Sequence, residues 1–313
     1  MRVLITGAGG FIGATLLQLL GEGGGIGGHA VSAIAAVDRQ FPVPMPGVLG
    51  IEGDLGDAQV RARIADFAPE VCFHLAAVPG GASEADPGMS RRVNLDATLD
   101  LFDLLGALPS QRPPVVVYAS TIAVYGSDLR ECVTDSMPLR PPLIYGAHKL
   151  ACEILLADYT RRGLLDGRAL RLPGIVARPR APSGLASAFM SDLLHALAAG
   201  QPFICPVSPD ATAWWMSARR CAENLVHAAA MDPGTDSRRA WPLPVLRLSM
   251  AEIVQTMSQV YSVDGQGLVR YAPQPQLEAI YGRYPPLDDQ AARALGLRDD
   301  GSAEALVRRA LGR

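Results

Sequence analysis

The sequence predicts an α/β fold: a doubly wound parallel sheet with a smaller C-terminal substrate domain. Three observations predict it. Over the first two thirds of the 313 residues, short apolar runs alternate with segments of helical periodicity, and that alternation implies right-handed βαβ crossovers and a parallel sheet. The apolar runs are nearly continuous, which implies helices on both faces. The first run passes into Thr6-Gly7-Ala8-Gly9-Gly10-Phe11-Ile12-Gly13, a glycine turn between a strand and a helix. In such sheets ligands sit at the carboxyl ends of the strands.

In chain order, residues 2–6 are predicted as the first strand and 11–20 as a helix, with Ile12, Leu16, Leu19 and Leu20 near helical spacing. Residues 30–38 and 48–54 are predicted as strands, 58–67 as a helix and 71–77 as a strand apolar on both faces. A long amphipathic helix is expected over 90–108, a fifth strand over 114–120, another long helix over 145–162, and a sixth strand from 168. The character changes after Leu172, where prolines recur at 173, 179, 182, 202, 206 and 209. Helices are expected over 187–199, 217–231 and 249–261, a strand over 243–248, and a helical polar tail from Leu287. The predicted division is 1–172 for the nucleotide-binding domain. Residues 173–313 form mostly a substrate domain, with some segments returning to the first.

Each part of the glycine turn has a physical reason. Gly7 allows the tight exit from the strand, Gly10 removes a Cβ so that backbone can approach a pyrophosphate, and Gly13 lets the helix pack closely on the sheet. The amides of Phe11, Ile12 and Gly13 open the helix and face the phosphates. Asp38 closes the second strand; a carboxylate there accepts from a ribose diol and repels a 2′-phosphate, which favours NAD over NADP. Arg39 follows and could instead pair with a 2′-phosphate. Asp38 lies further from Gly13 than the ~20 residues the fingerprint expects. The surplus coincides with Gly23–Gly28, read as a flexible surface insertion; deleting Gly24–Gly27 is then expected to leave NAD binding nearly intact. Asp54-Leu55 ends the third strand, where the carboxylate can reach an adenine amino group. Leu75-Ala76-Ala77 ends the fourth and leaves room for the cofactor.

Tyr145-Gly146-Ala147-His148-Lys149 is Y-x-x-x-K at a helix start. Positions i and i+4 share a face, so phenol and ammonium can converge. Free tyrosine ionises near pH ~10; a neighbouring Lys⁺ and an oxidised nicotinamide favour phenolate and suit Tyr145 to general base work. Lys149 would also hold the nicotinamide ribose. Ser120 and Thr121 end the fifth strand at the same sheet edge, where a hydroxyl can hold the substrate oxygen.

Other classes are disfavoured. Lys+Arg total 28 against Asp+Glu 31, a net charge of -3, and aromatics are 6%; neither charge nor stacking surface points to nucleic acid or anionic membrane. No apolar run reaches the ~18 residues of a membrane span, and the three-residue run before Gly7 is too short for a secretory signal. The cysteines at 72, 132, 152, 205 and 221 show no CxxC spacing. They read as reduced thiols of a cytoplasmic protein with no metal site, and Cys72 and Cys152 as buried and inert.

These residues together resemble the extended short-chain dehydrogenase/reductase superfamily, of the NAD-dependent epimerase/dehydratase type. The resemblance rests on TGAGGFIG at 6–13, Asp38, Asp54-Leu55, HLAA at 74–77, Asn94, ASTIAVYG at 119–126 and YGAHK at 145–149. It implies a Rossmann core, NAD as cofactor, Thr121 at the family's Ser/Thr position and Tyr145 with Lys149 as its acid/base pair. It also implies Asn94 bracing the site beside the cofactor, a structural His74, and a homodimer through the two long helices. Stretches 171–189 and 204–227 are similar to the D-erythronate dehydrogenases of that superfamily. They imply oxidation of the 2-hydroxyl of a four-carbon sugar acid, with Arg178, Arg180 and Arg219 as candidates for its carboxylate. The alternative is a nucleotide-sugar 4-epimerase with retained NAD. Gly174 and Ala213-Trp214 depart from the dehydrogenase pattern, which expects a hydroxyl residue and a basic one there. Thr121 is followed by Ile122-Ala123 rather than Asp-Glu, so no acid for elimination is present and dehydration is disfavoured.

Overall fold

The computed structural model describes residues 1–23, 25–41, 45–127, 129, 131–180, 187–234 and 237–312. Strand β1 (Arg2–Thr6) passes through the glycine turn into α1 (Phe11–Gly21), then β2 (Ala33–Asp38), β3 (Val48–Glu52), α2 (Ala58–Phe67) and β4 (Val71–His74). Short helices α3 (Gly80–Ala85) and α4 (Pro87–Ser90) lead through a π-helical stretch, Arg91–Asp96, into α5 (Ala97–Ala107). Then come β5 (Val115–Thr121), a 3₁₀ turn at Ile122–Tyr125, α6 (Ile144–Arg161) and β6 (Asp166–Leu172). The rest comprises β7 (Gly174–Val176), α7 (Ala188–Ala198), β8 (Phe203–Cys205), β9 (Thr212–Ser217), α8 (Ala218–Ala230), β10 (Ala240–Pro242) and β11 (Leu246–Ser249). It ends with α9 (Met250–Tyr261), α10 (Gly265–Leu268), β12 (Val269–Tyr271), α11 (Pro275–Tyr281), α12 (Gln290–Ala294) and α13 (Ala303–Leu311).

These elements form two compact units. The first holds Met1–Val124, Leu139–Arg171 and Ala222–Pro242; the second holds Tyr125–Pro138, Leu172–Cys221 and Leu243–Arg313. In the first, seven strands order as β10-β6-β5-β4-β1-β2-β3. Pairs β1–β2, β1–β4, β2–β3, β4–β5 and β6–β10 all run parallel. Strand order reverses between β1 and β4, which puts the ligand crevice of a doubly wound sheet there. Val3, Leu4 and Ile5 are all fully buried, so both faces of β1 are covered. On one face Leu4, Val37, Cys72, Val116 and Tyr118 pack with Ile64 of α2, Phe102 of α5 and Leu156 of α6.

The expected helix over 90–108 is interrupted by the π stretch. There the carbonyl of Asn94 accepts from Thr98 Oγ1 at 3.1 Å and from the Cys152 thiol at 3.4 Å. Such π stretches inside helices are rare and often lie near functional sites.

The second glycine cluster differs from its expectation. Gly24 lies outside the described residues, but its neighbours close a tight turn: Ile26 N donates to His29 O and His29 N to Ile26 O, each at 3.0 Å. Ile26 is 1% exposed. A Cβ on Gly27 would stand 2.8 Å from the Ala230 Cβ. The segment is therefore an apolar anchor seated on α8, not a dispensable surface insertion.

The second unit contains the sheets β11-β9-β7 and β12-β8. Its core gathers Leu193 and Leu197 of α7, Trp215 of β9, Ile253 and Met257 of α9, and Leu306 and Val307 of α13. Ser249 is the cap rather than the first residue of α9. Its side chain accepts from the Glu252 amide while Glu252 answers to the Ser249 amide, a capping box. Among the described residues, no helix is long and apolar enough to cross a membrane. The cysteines are free; Cys72, Cys152, Cys205 and Cys221 are buried and Cys132 is exposed.

Candidate active site

The glycine turn is held by the strands around it. Gly7 N donates to Val37 O at 2.8 Å and Gly10 N to Gly7 O at 3.1 Å. Gly7 has φ +70°, and a Cβ there would lie 2.6 Å from Ala76 N. The turns after β1 and β4 thus touch backbone to backbone at the switch point. A Cβ on Gly13 would overlap the Gly7 carbonyl, so Gly13 is what lets α1 close on the turn. At Gly10, the N-cap of α1, a Cβ would meet only Gly7 O, at 3.2 Å, so the space in front of the helix is open. No side chain caps the helix. The amides of Phe11, Ile12 and Gly13 in its first turn, with the positive end of its dipole, suit a pyrophosphate.

Asp38 ends β2 with its carboxylate fixed by two amides, Gly9 N at 2.9 Å and Arg39 N at 2.7 Å. Its syn and anti lone pairs are not exhausted by two bonds, so a diol can still be accepted. Asp54 is exposed and spends one oxygen on the Gly56 amide at 2.8 Å; Leu55 beside it is buried. Strand β4 stops at His74, so Leu75, Ala76 and Ala77 form the turn beyond it. Leu75 N donates to Thr6 O at 3.1 Å. His74 is fully buried between Thr6 Oγ1 (2.6 Å) and Thr98 Oγ1 (2.9 Å). Burial, with the Lys149 charge, pushes its pKa down to about 3. It is a neutral structural histidine.

Asn94 is buried and occupied by protein. Its Oδ1 accepts from Val78 N at 2.7 Å, and its Nδ2 donates to Val78 O at 2.9 Å, Ser90 Oγ at 3.2 Å and Ser83 Oγ at 3.3 Å. The side chain expected beside the cofactor therefore braces the loop after β4 from behind.

Helix α6 carries the Tyr145–Lys149 pair. Its first amide, Ile144 N, donates to Glu84 Oε1 at 2.7 Å. A Cβ on Gly146 would lie 2.9 Å from Ala123 O, so the helix sits tight on the turn after β5. Tyr145 is half-buried and Lys149, one turn on, is 1% exposed. Lys149 Nζ donates to Ala119 O at 2.7 Å, stands 4.5 Å from the centre of the Tyr118 ring and 5.8 Å from that of Tyr145. Desolvation pulls the Lys149 pKa down to about 8, against the opposing pull of Glu153, so the ammonium is retained at neutral pH. Thr121 Oγ1 accepts from Ala123 N at 3.1 Å, which leaves its own proton to give.

Ser120 differs from its expectation. It is 2% exposed, and its hydroxyl donates in a short bond to Glu153 Oε1. Residues 120 and 121 point to opposite faces of β5, so one hydroxyl faces α6 while the other stays at the strand end. Glu153 also holds Arg171, with Nη2 at 2.8 Å from Oε2. Spacing gave no notice of this ionic group. The only local signal is that Glu153 follows Lys149 by four, as Lys149 follows Tyr145.

Arg178, Arg180 and Arg219 all belong to the second unit. Arg178 is half-buried, its amide on Ser191 Oγ at 2.9 Å, and Arg180 donates to Gln201 Oε1 at 3.2 Å. The departure at Gly174 has a steric reason: a Cβ there would lie 2.8 Å from Trp214 O and 2.9 Å from Met190 Cε.

Known proteins bear on this arrangement. The chain is 35% identical over 316 residues to a D-erythronate dehydrogenase of Cupriavidus necator, covering 98% of this chain and 97% of the other. A D-erythronate dehydrogenase of Haemophilus influenzae is 28% identical over 98% of both chains. Among solved structures, a nucleoside-diphosphate-sugar epimerase of Agrobacterium tumefaciens superposes with a TM-score of 0.90 at 32% identity, over 98% of this chain and 92% of that one. Residues 3–238 match the NAD dependent epimerase/dehydratase family, and the chemistry of the glycine cradle and the Asp38 carboxylate is compatible with NAD. The chain belongs to the NAD dependent epimerase/dehydratase family.

Proposed function

We propose that this enzyme is an NAD-dependent dehydrogenase that oxidises the 2-hydroxyl of a small sugar acid, D-erythronate, to 2-dehydro-D-erythronate. The observation that carries the reaction type is the buried Lys149 ammonium, anchored on Ala119 O, one helical turn from Tyr145 and beside the end of β5. Full-length likeness to D-erythronate dehydrogenases supports the substrate.

Gly7, Gly10 and Gly13 with the first amides of α1 would hold the pyrophosphate, Asp38 the adenosine ribose, and Lys149 the nicotinamide ribose. Bound NAD supplies the acceptor for the hydride that leaves the substrate carbon. Tyr145, as phenolate, takes the proton of the substrate hydroxyl, and the Lys149 charge favours that phenolate. Thr121, whose oxygen already accepts from Ala123 N, donates its proton to the substrate oxygen and fixes it near Tyr145. Ser120, committed to Glu153, positions this group without touching substrate.

The likeness to the Agrobacterium structure favours a second reading, a nucleotide-sugar 4-epimerase. It predicts NAD retained through the cycle and no net NADH. A panel of four- to six-carbon sugar acids read at the NADH absorbance band, with nucleotide sugars read by analysis of the sugar product, decides between them. The proposal expects NADH from D-erythronate. NADH from no sugar acid, with a nucleotide sugar epimerised, would replace it by the second reading.

A further inference from the structure

Tyr145, Lys149 and Glu153 follow one another at four-residue intervals down one face of α6. The first two have roles in the proposed chemistry; the third has none there, yet it is 4% exposed. A buried carboxylate is costly unless paired and hydrogen-bonded, and Glu153 is both. Oε1 receives the Ser120 hydroxyl and Arg171 Nε at 3.1 Å, while Oε2 receives Arg171 Nη2 at 2.8 Å. Ser120 lies at the end of β5 and Arg171 at the end of β6. One side chain of α6 thus fastens the helix to two adjacent strand ends. Ser120 stands between Ala119, whose carbonyl holds Lys149, and Thr121.

The charges around the pair narrow the role. His74 on β4 is neutral at pH 7. On β5, burial raises the Tyr118 phenol, and on α6 it raises the Cys152 thiol, so both stay protonated. His148, hydrogen-bonded to Ser90 Oγ at 3.1 Å, is pushed down by burial and is neutral as well. Glu84 of α3 accepts from Ile144 N beside Tyr145, and Asp96 and Arg91 act on His148; of the Glu153–Arg171 ion pair, Glu153 is the member that acts on Lys149.

We propose that Ser120, Glu153 and Arg171 form a charge-balanced clamp that positions the Tyr145–Lys149 pair. Glu153 locks α6 to the ends of β5 and β6, and Arg171 cancels its charge so that the Lys149 ammonium acts on Tyr145 undiminished. All three are positioning residues. The inference rests on reading Tyr145 and Lys149 as the acid/base pair.

Opposite charges removed singly must act with opposite sign. Glu153→Gln deletes an anion and exposes the Arg171 cation, so the coupled Tyr145–Lys149 pair releases its first proton at lower pH. Arg171→Met exposes the Glu153 anion, and the pair releases that proton at higher pH. Eight residues along a helix span ~12 Å, so at an effective dielectric of ~20 each change moves the titration by about one pH unit. The double variant removes both charges and returns close to wild type. A purely structural clamp would loosen all three variants alike, with no opposed shifts.

The experiment is a pH titration of ¹³Cζ-tyrosine-labelled enzyme with NAD bound, the Tyr145 resonance identified by its loss in Tyr145→Phe. Opposed shifts in the single variants, cancelled in the double, support the clamp. Shifts that are absent, or share one sign, overturn it. Bound NAD favours the folded state of the single variants; where one still fails to fold, the other decides by its own sign. The titration needs no substrate, so it is independent of turnover. Active Tyr145→Phe enzyme would overturn the acid/base reading, whereas inactive Tyr145→Phe with unshifted variants would overturn the clamp alone.

Discussion

At the scale of single residues, burial sets the charge that His74 and Lys149 hold at neutral pH. His74 and Lys149 are both buried cationic-type side chains, and burial lowers the pKa of each, to about 3 and about 8. His74 spends both ring nitrogens on Thr6 and Thr98. In the unfolded chain it would take up a proton near pH ~6.5. Between pH 6.5 and 3 the unfolded state therefore binds more protons, and stability falls as pH falls through that window. From pH 7 to pH 4.5 this single group should remove about 2–3 kcal/mol. Urea unfolding of wild type and His74→Gln at the two pH values tests it: the variant starts lower but loses less on acidification. Equal losses would show that His74 is not held neutral. The candidate site was legible at this scale wherever the chemistry is local. Tyr145 and Lys149 share one turn, and Gly7, Gly10 and Gly13 share one loop. Glu153 and Arg171 escaped because their partners are distant in sequence: Ser120 is 33 residues from Glu153, and Arg171 is 18. Ser120 was legible as a hydroxyl at the right sheet edge, but which way it faces is settled only when α6 packs on β5.

At the scale of elements, the βα units of the first half follow from their apolar runs, because strands buried on both faces and amphipathic helices leave distinct patterns. The break at Arg91–Asp96 was not readable, since a π stretch keeps helical composition and shifts only the register. Strand β9 was missed for the opposite reason. Its residues Ala213–Ser217 are all buried, so nothing alternates and a short apolar run has no period to detect. The run Gly23–Gly28 reads as an insertion because its glycine content hides one anchor. Ile26 is as buried as the sheet residues, and truncating a fully buried isoleucine typically costs about 2–5 kcal/mol. Ile26→Ala should therefore lower the thermal or urea midpoint clearly, while NAD affinity of the folded fraction changes little. A variant as stable as wild type would restore the reading of this turn as a passive insertion.

At the scale of the molecule, the chain leaves the first unit after Arg171 and returns to it over Ala222–Pro242 to add the edge strand β10. The proposed proton-transfer groups Thr121, Tyr145 and Lys149, and the glycine turn, all lie in that unit. The proposed substrate rests on likeness to known dehydrogenases over the whole chain, not on a local pattern. The central claim is that Tyr145 takes the hydroxyl proton as the substrate is oxidised. The most direct measurement compares initial rates of NADH formation from NAD and D-erythronate for wild type and Tyr145→Phe, both shown to be folded and to bind NAD. Removing a general base costs roughly 10²–10⁴ in turnover, and the account predicts a loss of that size with NAD binding intact. Turnover within a few-fold of wild type in Tyr145→Phe would contradict it.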